Sequence, residues 1–235
     1  MAAAAPKLSL IALALALVGL LGAYLGFFSP MAGFQTFVAG TLLGGFFCTA
    51  LALIGLVLTR GGRDPAGHTQ ALVGLSIALG LLIVVLAAAS TGGDAPPIND
   101  ITTDLTDPPA FADNALVPEY AGRDMSYPAE FVAIVRKSYP DLEALRVDVG
   151  PTETFVRAVA AAEGLGWEVV AKDAGAGAFY AHDVSAIFRF VDDVVVRIRP
   201  DGSGARIDVR SKSRDGRGDL GANATRIRAF FAELG

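Results

Sequence analysis

The sequence predicts an α+β membrane protein in which three transmembrane helices precede an extracytoplasmic domain, a four-stranded antiparallel sheet with helices packed on one face. Three observations support this fold class. Hydrophobic residues make up 53% of the chain and charged residues 18%, and the mean hydropathy of +0.50 is too high for an ordinary soluble domain. The first 89 residues contain three long uncharged runs. Residues 151–235 instead follow the pattern of a helix, four strands and a second helix.

The three uncharged runs comprise residues 8–28, 34–59 and 71–89, and each is long enough to cross about 30 Å of hydrocarbon as a helix. Residues 1–89 are therefore predicted to form a three-helix membrane anchor. A cleaved signal peptide is the alternative for the first run, but this run is longer than the usual apolar core of such a peptide and lacks a clear small-x-small cleavage site. Because the runs contain no Asp, Glu, Lys, Arg or His, proton paths, ion channels and transporters of charged substrates are disfavoured.

Basic residues near the three runs predict the orientation of the anchor. Lys7, Arg60 and Arg63 flank the runs on one side, whereas the loop between the first two runs has no basic residue and none follows the third run until Arg123. Basic residues in short flanks remain in the cytoplasm. The amino terminus is thus predicted to be cytoplasmic and residues 90–235 to lie outside. The abundance of Ala, Gly and Arg indicates a bacterial protein. The membrane is then predicted to be the bacterial inner membrane, and the outer domain to be periplasmic or extracellular.

Glycines in the first two runs occur at the small-xxx-small spacing that lets helix backbones approach closely. They are Gly22, Gly26, Gly40 and Gly44. We interpret them as contacts among the three helices, with a contact to a partner protein as the alternative. Thr41 and Thr49 are expected to hydrogen-bond across a helix interface.

Residues 90–150 are predicted to form a Pro- and Asp-rich connecting segment that is partly ordered. Eight of the twelve prolines fall between residues 90 and 151, and apolar periodicity is weak there. Residues 99–104 are typical of a short strand or an Asx-turn, and residues 129–138 of a short helix. We expect the segment to wrap around the outer domain.

The outer domain, residues 151–235, has the clearest secondary-structure signals. A helix is predicted at residues 151–164, with a proline at its start and glycines at its end. Alternating runs predict four strands at residues 167–172, 178–190, 194–199 and 205–212, with a hairpin turn at 200–204. A final helix is predicted to start near Asp219, a suitable N-cap. An antiparallel sheet with helices on one face buries these apolar residues most simply.

Alternation along the last two strands assigns their side chains to two faces. Apolar side chains are predicted on the helix-covered face, namely Val194, Val196, Ile198, Ile207 and Val209. Charged side chains take the opposite face, namely Arg197, Arg199, Arg206, Asp208, Arg210 and Lys212. Two interpretations stay open: a solvated sheet face with cross-strand pairs to Asp208, or an anion site for lipid headgroups, sugar phosphates or an acidic partner.

Residues that usually carry catalysis are few and poorly placed for it. His68 and His182 fall on opposite sides of the membrane, and the only cysteine, Cys48, lies within a predicted span. Zinc and thiol chemistry are therefore disfavoured, and no cofactor is predicted. Asp192 and Asp193 are interpreted as part of a turn before the next strand. The outer part of the chain is acidic overall, which argues against nucleic-acid binding.

Five segments carry a resemblance to one known family. The longest is 208–223, continuing through Arg226, and the others are 190–194, 99–104 with the prolines at 108 and 109, 139–141 and 166–167. In these segments the chain resembles the bacterial domain-of-unknown-function family 1499, over most of residues 97–232. Members often resemble membrane-anchored envelope proteins, but the resemblance implies no activity, substrate or cofactor. Tyr180 stands where members have an acidic residue, so any role of that acid is not carried over.

The longest segment provides a set of candidate site residues at the end of a strand, a turn and a helix start. They are Asp208, Arg210, Ser211, Ser213, Arg214, Asp219, Asn223 and Arg226. One interpretation is an anion site, formed by the arginines, the serines, Asn223 and the free N–H groups of the helix. The other is a buried polar latch in which Asp208 and Asp219 clamp Arg210, Arg214 or Arg226.

The function most consistent with these features is that of a non-enzymatic cell-envelope membrane protein. It would display the outer domain as an accessory, assembly or stabilising subunit of a larger membrane system. The alternatives are a binding domain for an anionic small ligand or lipid headgroup and, third, a hydrolase without a recognisable motif. The expected partners are the lipid bilayer and either other membrane proteins or an anionic ligand, with no nucleic acid.

Overall fold

A computed structural model describes residues 2–62, 64–90 and 92–235. Arg63, which contributes to the orientation prediction, lies outside the described residues. The chain forms two compact units: one of Met1–Gly93 with Ala186–Arg189, and one of Asp94–Ser185 with Phe190–Gly235. The connecting segment therefore belongs, from Asp94 onward, to the same unit as the sheet.

The first unit consists mainly of apolar helices. Their bounds are Ala5–Tyr24 (α1), Pro30–Val38 (α2), Gly45–Thr59 (α3) and Pro65–Ser90 (α4). A π-helical stretch, Ala39–Gly44, joins α2 to α3. Three helical stretches are long and apolar enough to cross a membrane, Ala2–Tyr24, Pro30–Thr59 and Pro65–Ser90. The three apolar helices that the sequence predicts are thus confirmed.

Small residues bring the first two helical stretches together. An ideal Cβ atom on Gly40 would lie 2.6 Å from the backbone nitrogen of Ala16, and one on Gly44 would lie 2.7 Å from the Cβ of Ala12. Gly22 faces the ring of Phe28. Gly26 differs from the other three, because it follows the end of α1 at a φ of 77° with open space around it. It terminates the helix and makes no helix contact.

The buried threonines do not link the helices as expected. Thr41 donates its hydroxyl to the carbonyl of Phe37 at 2.8 Å, within its own helical stretch. The hydroxyl of Thr49 is buried and has no hydrogen-bond partner among the described residues. Ser9 instead makes an interhelical bond, donating to the carbonyl of Gly74 at 2.9 Å between α1 and α4. A serine on an apolar helix gives no sequence signal that separates a bond to its own helix from a bond to another.

The second unit is built on a six-stranded antiparallel sheet. Its strands are Asp100–Thr102 (β1), Leu145–Val147 (β2), Glu168–Asp173 (β3), Ala178–Val184 (β4), Val191–Asp201 (β5) and Gly204–Ser213 (β6). The spatial order is β1-β6-β5-β4-β3, with β2 also paired to β6. The register of β3 with β4 shifts between Val169 and Ala171. The four predicted strands correspond to β3–β6, and the two additional strands are too short for alternation to reveal them.

Three helices cover one face of this sheet, as predicted. They are Phe131–Ser138 (α5), Pro151–Gly164 (α6) and Ala222–Ala232 (α7). The five apolar residues that alternation assigns to this face are all buried in the main core. Trp167 stacks on Phe230 of α7 with ring centroids 5.0 Å apart. The core therefore lies between the sheet and these helices.

The connecting segment covers the opposite face of the sheet. Val117 and Tyr120 of this segment pack on Tyr180 of β4 and Val195 of β5, forming a second apolar cluster. The interpretation of this face as solvated is therefore wrong at its centre. Asp208 and Arg210 are buried there, because the segment excludes water from them.

Candidate functional site

Arg210 lies at the centre of the covered face and is fully enclosed. Its Nε donates to Asp100 Oδ1 at 2.9 Å and its Nη2 to Asp100 Oδ2 at 2.7 Å, which is a bidentate pair. The rings of Phe111 and Tyr127 lie 4.8 and 5.1 Å from the guanidinium carbon. Burial raises the pKa of Asp100, and the hydrogen bonds from Arg210 oppose the rise. Only 2% of the surface of Arg210 is exposed.

Arg214 follows β6 and belongs to a second charged cluster on the same face. Its Nη2 donates to Asp193 Oδ1 at 2.7 Å, and Nη1 of Arg123 lies 2.7 Å from Oδ2 of the same carboxylate. His182 Nε2 is 2.7 Å from Arg214 Nη2 and 3.2 Å from Asp193 Oδ1. Burial favours a higher pKa for Asp193, but the hydrogen bonds of His182 and Arg214 outweigh it and lower the pKa. Asp193 is therefore the ionised centre of this cluster.

Arg226 of α7 lies on the helix-covered face, on the other side of the sheet. Its Nε donates to Asp183 at 2.6 Å and its Nη2 to Asp192 at 2.5 Å. Asp192 and Asp193 are consecutive residues of β5, so they point to opposite faces and serve different arginines. The prediction that these two aspartates form a turn is wrong, because both are paired within the sheet.

The two serines and Asn223 surround Arg226. Ser211 donates to Asn223 Oδ1 at 2.6 Å, and Asn223 Nδ2 donates to Ser213 Oγ at 3.0 Å. Arg226 Nη1 donates to Ser211 Oγ at 3.0 Å. The candidate residues thus divide into two groups separated by the sheet, with Asp208, Arg210 and Arg214 on one face and these four on the other. They do not converge on one open corner.

The two candidate latch aspartates bind other partners than the ones predicted for them. Asp208 accepts from Arg199 at 2.7 Å and from Arg206 at 2.8 Å. Asp219 accepts from the backbone N–H groups of Gly221 and Asn223, each at 2.9 Å, and so fixes the start of α7. The predicted pairing of these aspartates with Arg210, Arg214 or Arg226 is therefore wrong. The acids that do pair with those arginines are Asp100, Asp183, Asp192 and Asp193.

Asp104 completes the ionic network at the start of the connecting segment. Its Oδ2 accepts from Arg199 and from Arg206, each at 2.9 Å, and lies 3.3 Å from Nη2 of Arg197. Burial favours a higher pKa, but the backbone N–H groups of Asp107 and Thr106 together with Arg199 lower the pKa of Asp104. The sequence patterns did not identify Asp104 as a partner of these arginines, although Asp104 lies in one of the segments that carry the family resemblance.

The described residues include no group of three or more His, Cys, Asp or Glu side chains arranged to hold a metal ion. Tyr180, which stands where the family resemblance implies an acid, is buried on the segment-covered face beside Tyr120 and Val195. Burial raises the pKa of Tyr180. The position therefore contributes apolar contacts in this chain.

Comparison with known proteins agrees with the boundaries of the second unit. No match was found among curated proteins. A family model described as "Protein of unknown function (DUF1499)" matches residues 100–234, from the first residue of β1 to just beyond the end of α7. This match covers more than half of the chain and includes residues 100–150 of the connecting segment together with every arginine and aspartate described in this subsection. The chain therefore belongs to the DUF1499 family.

Proposed function

We propose that this chain is a non-enzymatic cell-envelope membrane protein that displays its α+β domain as an accessory, assembly or stabilising subunit of a larger membrane system. One observation carries the proposal. Arg210, Arg214 and Arg226 are each bound to aspartate side chains of the same domain, at 2.5 to 2.7 Å. The polar residues of the family signature are thus used to hold the domain in one conformation.

Buried ion pairs add little net stability compared with apolar packing, because both charges lose their hydration. They do fix which surfaces meet, since any other arrangement leaves a charge unpaired. Asp100 lies 110 positions before Arg210 in the chain, so their pair specifies how the connecting segment lies on the sheet. A rigid outer surface of defined shape is what a subunit needs in order to dock on a partner.

The location that fits this role is the outer face of a bacterial inner membrane. Three candidate spans support this location, because an odd number of crossings would leave the two ends of the chain on opposite sides of a membrane. Lys7 and Arg60 flank the same side of these spans, and this supports a cytoplasmic amino terminus. The α+β domain would then be periplasmic or extracellular.

Purification from membranes in a mild detergent, with an affinity tag after Gly235, tests the proposal. We expect a membrane protein at a fixed, near-stoichiometric ratio, and we expect its cellular level to fall when this chain is deleted. An unrelated three-span protein with the same tag is the control for nonspecific recovery. Purification of the chain with lipid alone, together with an unchanged membrane proteome in the deletion strain, would contradict a subunit role.

A further inference from the structure

A cleft of about 710 Å³ opens where the edge of the sheet is split between two short strands. Strands β1 and β2 both pair with β6 and lie end to end along it. Between them, Thr103 exchanges two hydrogen bonds with the backbone of Val209, at 2.9 and 3.0 Å. The chain turns away from the sheet at Asp104, and the cleft lies between this turn, the loop 139–144 and the ends of β5 and β6.

Four arginines line this cleft: Arg136, Arg146, Arg199 and Arg206. Three of them lie in one row, because Arg206 of β6 is directly opposite Arg146 of β2 on one side and Arg199 of β5 on the other. Like charges at directly opposed positions repel each other. Asp104 and Asp208 form ion pairs with both Arg199 and Arg206, and Asp107 forms a further pair with Arg199 at 3.1 Å. Among the residues that the structure describes, Arg146 pairs only with Asp201, in an exposed contact at 2.8 Å.

Several guanidinium N–H groups in the cleft have no protein acceptor. Within the described part of the chain, no hydrogen bond is made by the guanidinium of Arg136, by either Nη of Arg146 or by Nη1 of Arg206. Guanidinium groups bind phosphate and carboxylate through such paired donors. Three carboxylates line the cleft: Asp104 and Asp107 are paired with arginines, and Glu143 is exposed and has no ion pair among the described residues. The guanidinium N–H groups without a protein acceptor therefore outnumber the carboxylate oxygens without a donor in the cleft.

Part of the cleft wall is apolar. Leu105, Pro140 and Leu142 line it, together with Tyr139. An anionic group at the arginines could thus be joined to an apolar portion that rests on this wall. We propose that the cleft binds an anion carrying a phosphate or carboxylate group, either as a free small molecule or as a lipid headgroup. This site is separate from the buried arginines of the family signature and does not depend on the subunit role.

Titration of the full chain with inorganic phosphate tests the site. The protein is kept in a nonionic detergent at constant ionic strength, and unfolding is followed by the fluorescence of Trp167, the only tryptophan, which is buried in the domain core. A ligand that binds the folded state raises the melting temperature saturably. We expect R136Q/R146Q to weaken phosphate binding by roughly tenfold or more, since two charged donors are removed. R217Q, which changes an exposed arginine outside the cleft, is the matched control and should match wild type.

A substitution of Glu143 is expected to change the phosphate affinity in the opposite direction. E143Q removes a negative charge that faces the bound anion, so phosphate should bind about two- to threefold more tightly. Arg136 has no hydrogen bond or ion pair among the described residues, so R136Q should not affect folding. If the double variant fails to fold, R136Q alone is used, and it should still weaken phosphate binding. The proposal would be overturned if E143Q bound phosphate no more tightly than wild type. It would also be overturned if phosphate raised the melting temperature of R136Q/R146Q as much, and as saturably, as that of wild type.

A second probe separates the two sources of the anion. Short-chain phosphatidylglycerol is added below its critical micelle concentration under the same conditions. Binding that is roughly tenfold tighter than that of phosphate, and that is lost in R136Q/R146Q, identifies a lipid headgroup with its chains on the apolar wall. Equal affinity for both probes identifies a free anion. Absence of a saturable effect with both probes would overturn the proposal.

Discussion

Arg210 and Arg228 show how differently two arginine–aspartate pairs contribute in one domain. The Arg210–Asp100 pair is enclosed by aromatic rings and backbone carbonyls of the connecting segment. The Arg228–Asp141 pair has an even shorter contact, 2.6 Å, but both side chains are about half exposed. Water compensates for the loss of a partner in the second pair and not in the first. Contact distance alone is therefore a poor guide to their importance.

Arg210→Ala is expected to lower the free energy of unfolding by about 3–5 kcal/mol, because it removes the bidentate partner of the buried Asp100 carboxylate and leaves only the longer contact to Lys212, at 3.5 Å. Arg228→Ala is the matched control and should cost about 1 kcal/mol or less. Denaturant unfolding of the full chain in detergent, followed by Trp167 fluorescence, measures both values. Similar small losses for the two variants would mean that the connecting segment does not enclose Arg210.

Acid should destabilise the domain through Asp193 and Asp104. Both carboxyls have a pKa below the ordinary value of about 3.9 in the folded state. Their contribution to stability is fully present above the unfolded pKa and is lost as the pH falls through the folded pKa. The free energy of unfolding should therefore be nearly constant from about pH 7 to 5 and should fall below about pH 4.

Asp193→Asn isolates one part of this pH dependence. The variant should be less stable at pH 7, and its stability should fall less steeply below about pH 4, because one titrating carboxyl is absent. The pKa of Asp100 is raised in the folded state, so its titration changes stability in the opposite direction. This contribution is the same in both proteins and does not affect the comparison. Parallel unfolding curves of the two proteins from pH 7 to 3 would refute the role given to Asp193.

At the scale of elements, β2 depends on a close approach to the start of β6. A Cβ atom on Gly204 would clash with the backbone carbonyl of Val147, the last residue of β2. Gly204→Ala should therefore displace β2 and lower the free energy of unfolding by about 1–3 kcal/mol. Hydrogen exchange of the amides at 145–147 should become faster.

Gly164→Ala is the control for this substitution. Gly164 ends α6 in open space, so alanine there should be neutral or stabilising by up to about 1 kcal/mol. Equal destabilisation by both alanines would show that the effect at Gly204 does not come from the close contact with Val147.

The sequence predicted the elements that are long enough for their hydrophobic periodicity to be recognised. The helix at residues 151–164 has the predicted bounds, and β3, β5 and β6 occur close to their expected positions. The strand predicted at 178–190 is shorter, because β4 ends at Val184. Strands β1 and β2 span three residues each, which is too short for alternation to be recognised. Asp100 was missed as the partner of Arg210 because it reaches β6 through the pairing of β1, which is distant in sequence. Asp193 was missed as the partner of Arg214 because it was assigned to a turn and not to β5. Local patterns identify the charged residues but not the tertiary contacts between them.

At the scale of the whole molecule, the predicted orientation can be checked directly. A reporter that is active only outside the cytoplasm, fused after Gly235, should be active, and the same reporter inserted in the loop between α3 and α4 should be inactive. The reason is the position of Lys7, Arg60 and Arg63 relative to the three apolar runs. A reporter that is active only in the cytoplasm serves as the control and should give the reverse result at both sites. Cytoplasmic activity after Gly235 would invert the location of the domain and refute the envelope role.

The arrangement of the sheet edges has a consequence for crowding in the plane of a membrane. Anchored domains meet one another far more often than dissolved ones, and an uncovered strand invites edge-to-edge polymerisation. On one side, β1 and β2 occupy the outer edge of β6. On the other side, β3 presents Glu168 and Lys172 and has a register shift between Val169 and Ala171. Charges and an irregular backbone both oppose the addition of a further strand, so the domains can be densely displayed without joining into a continuous sheet.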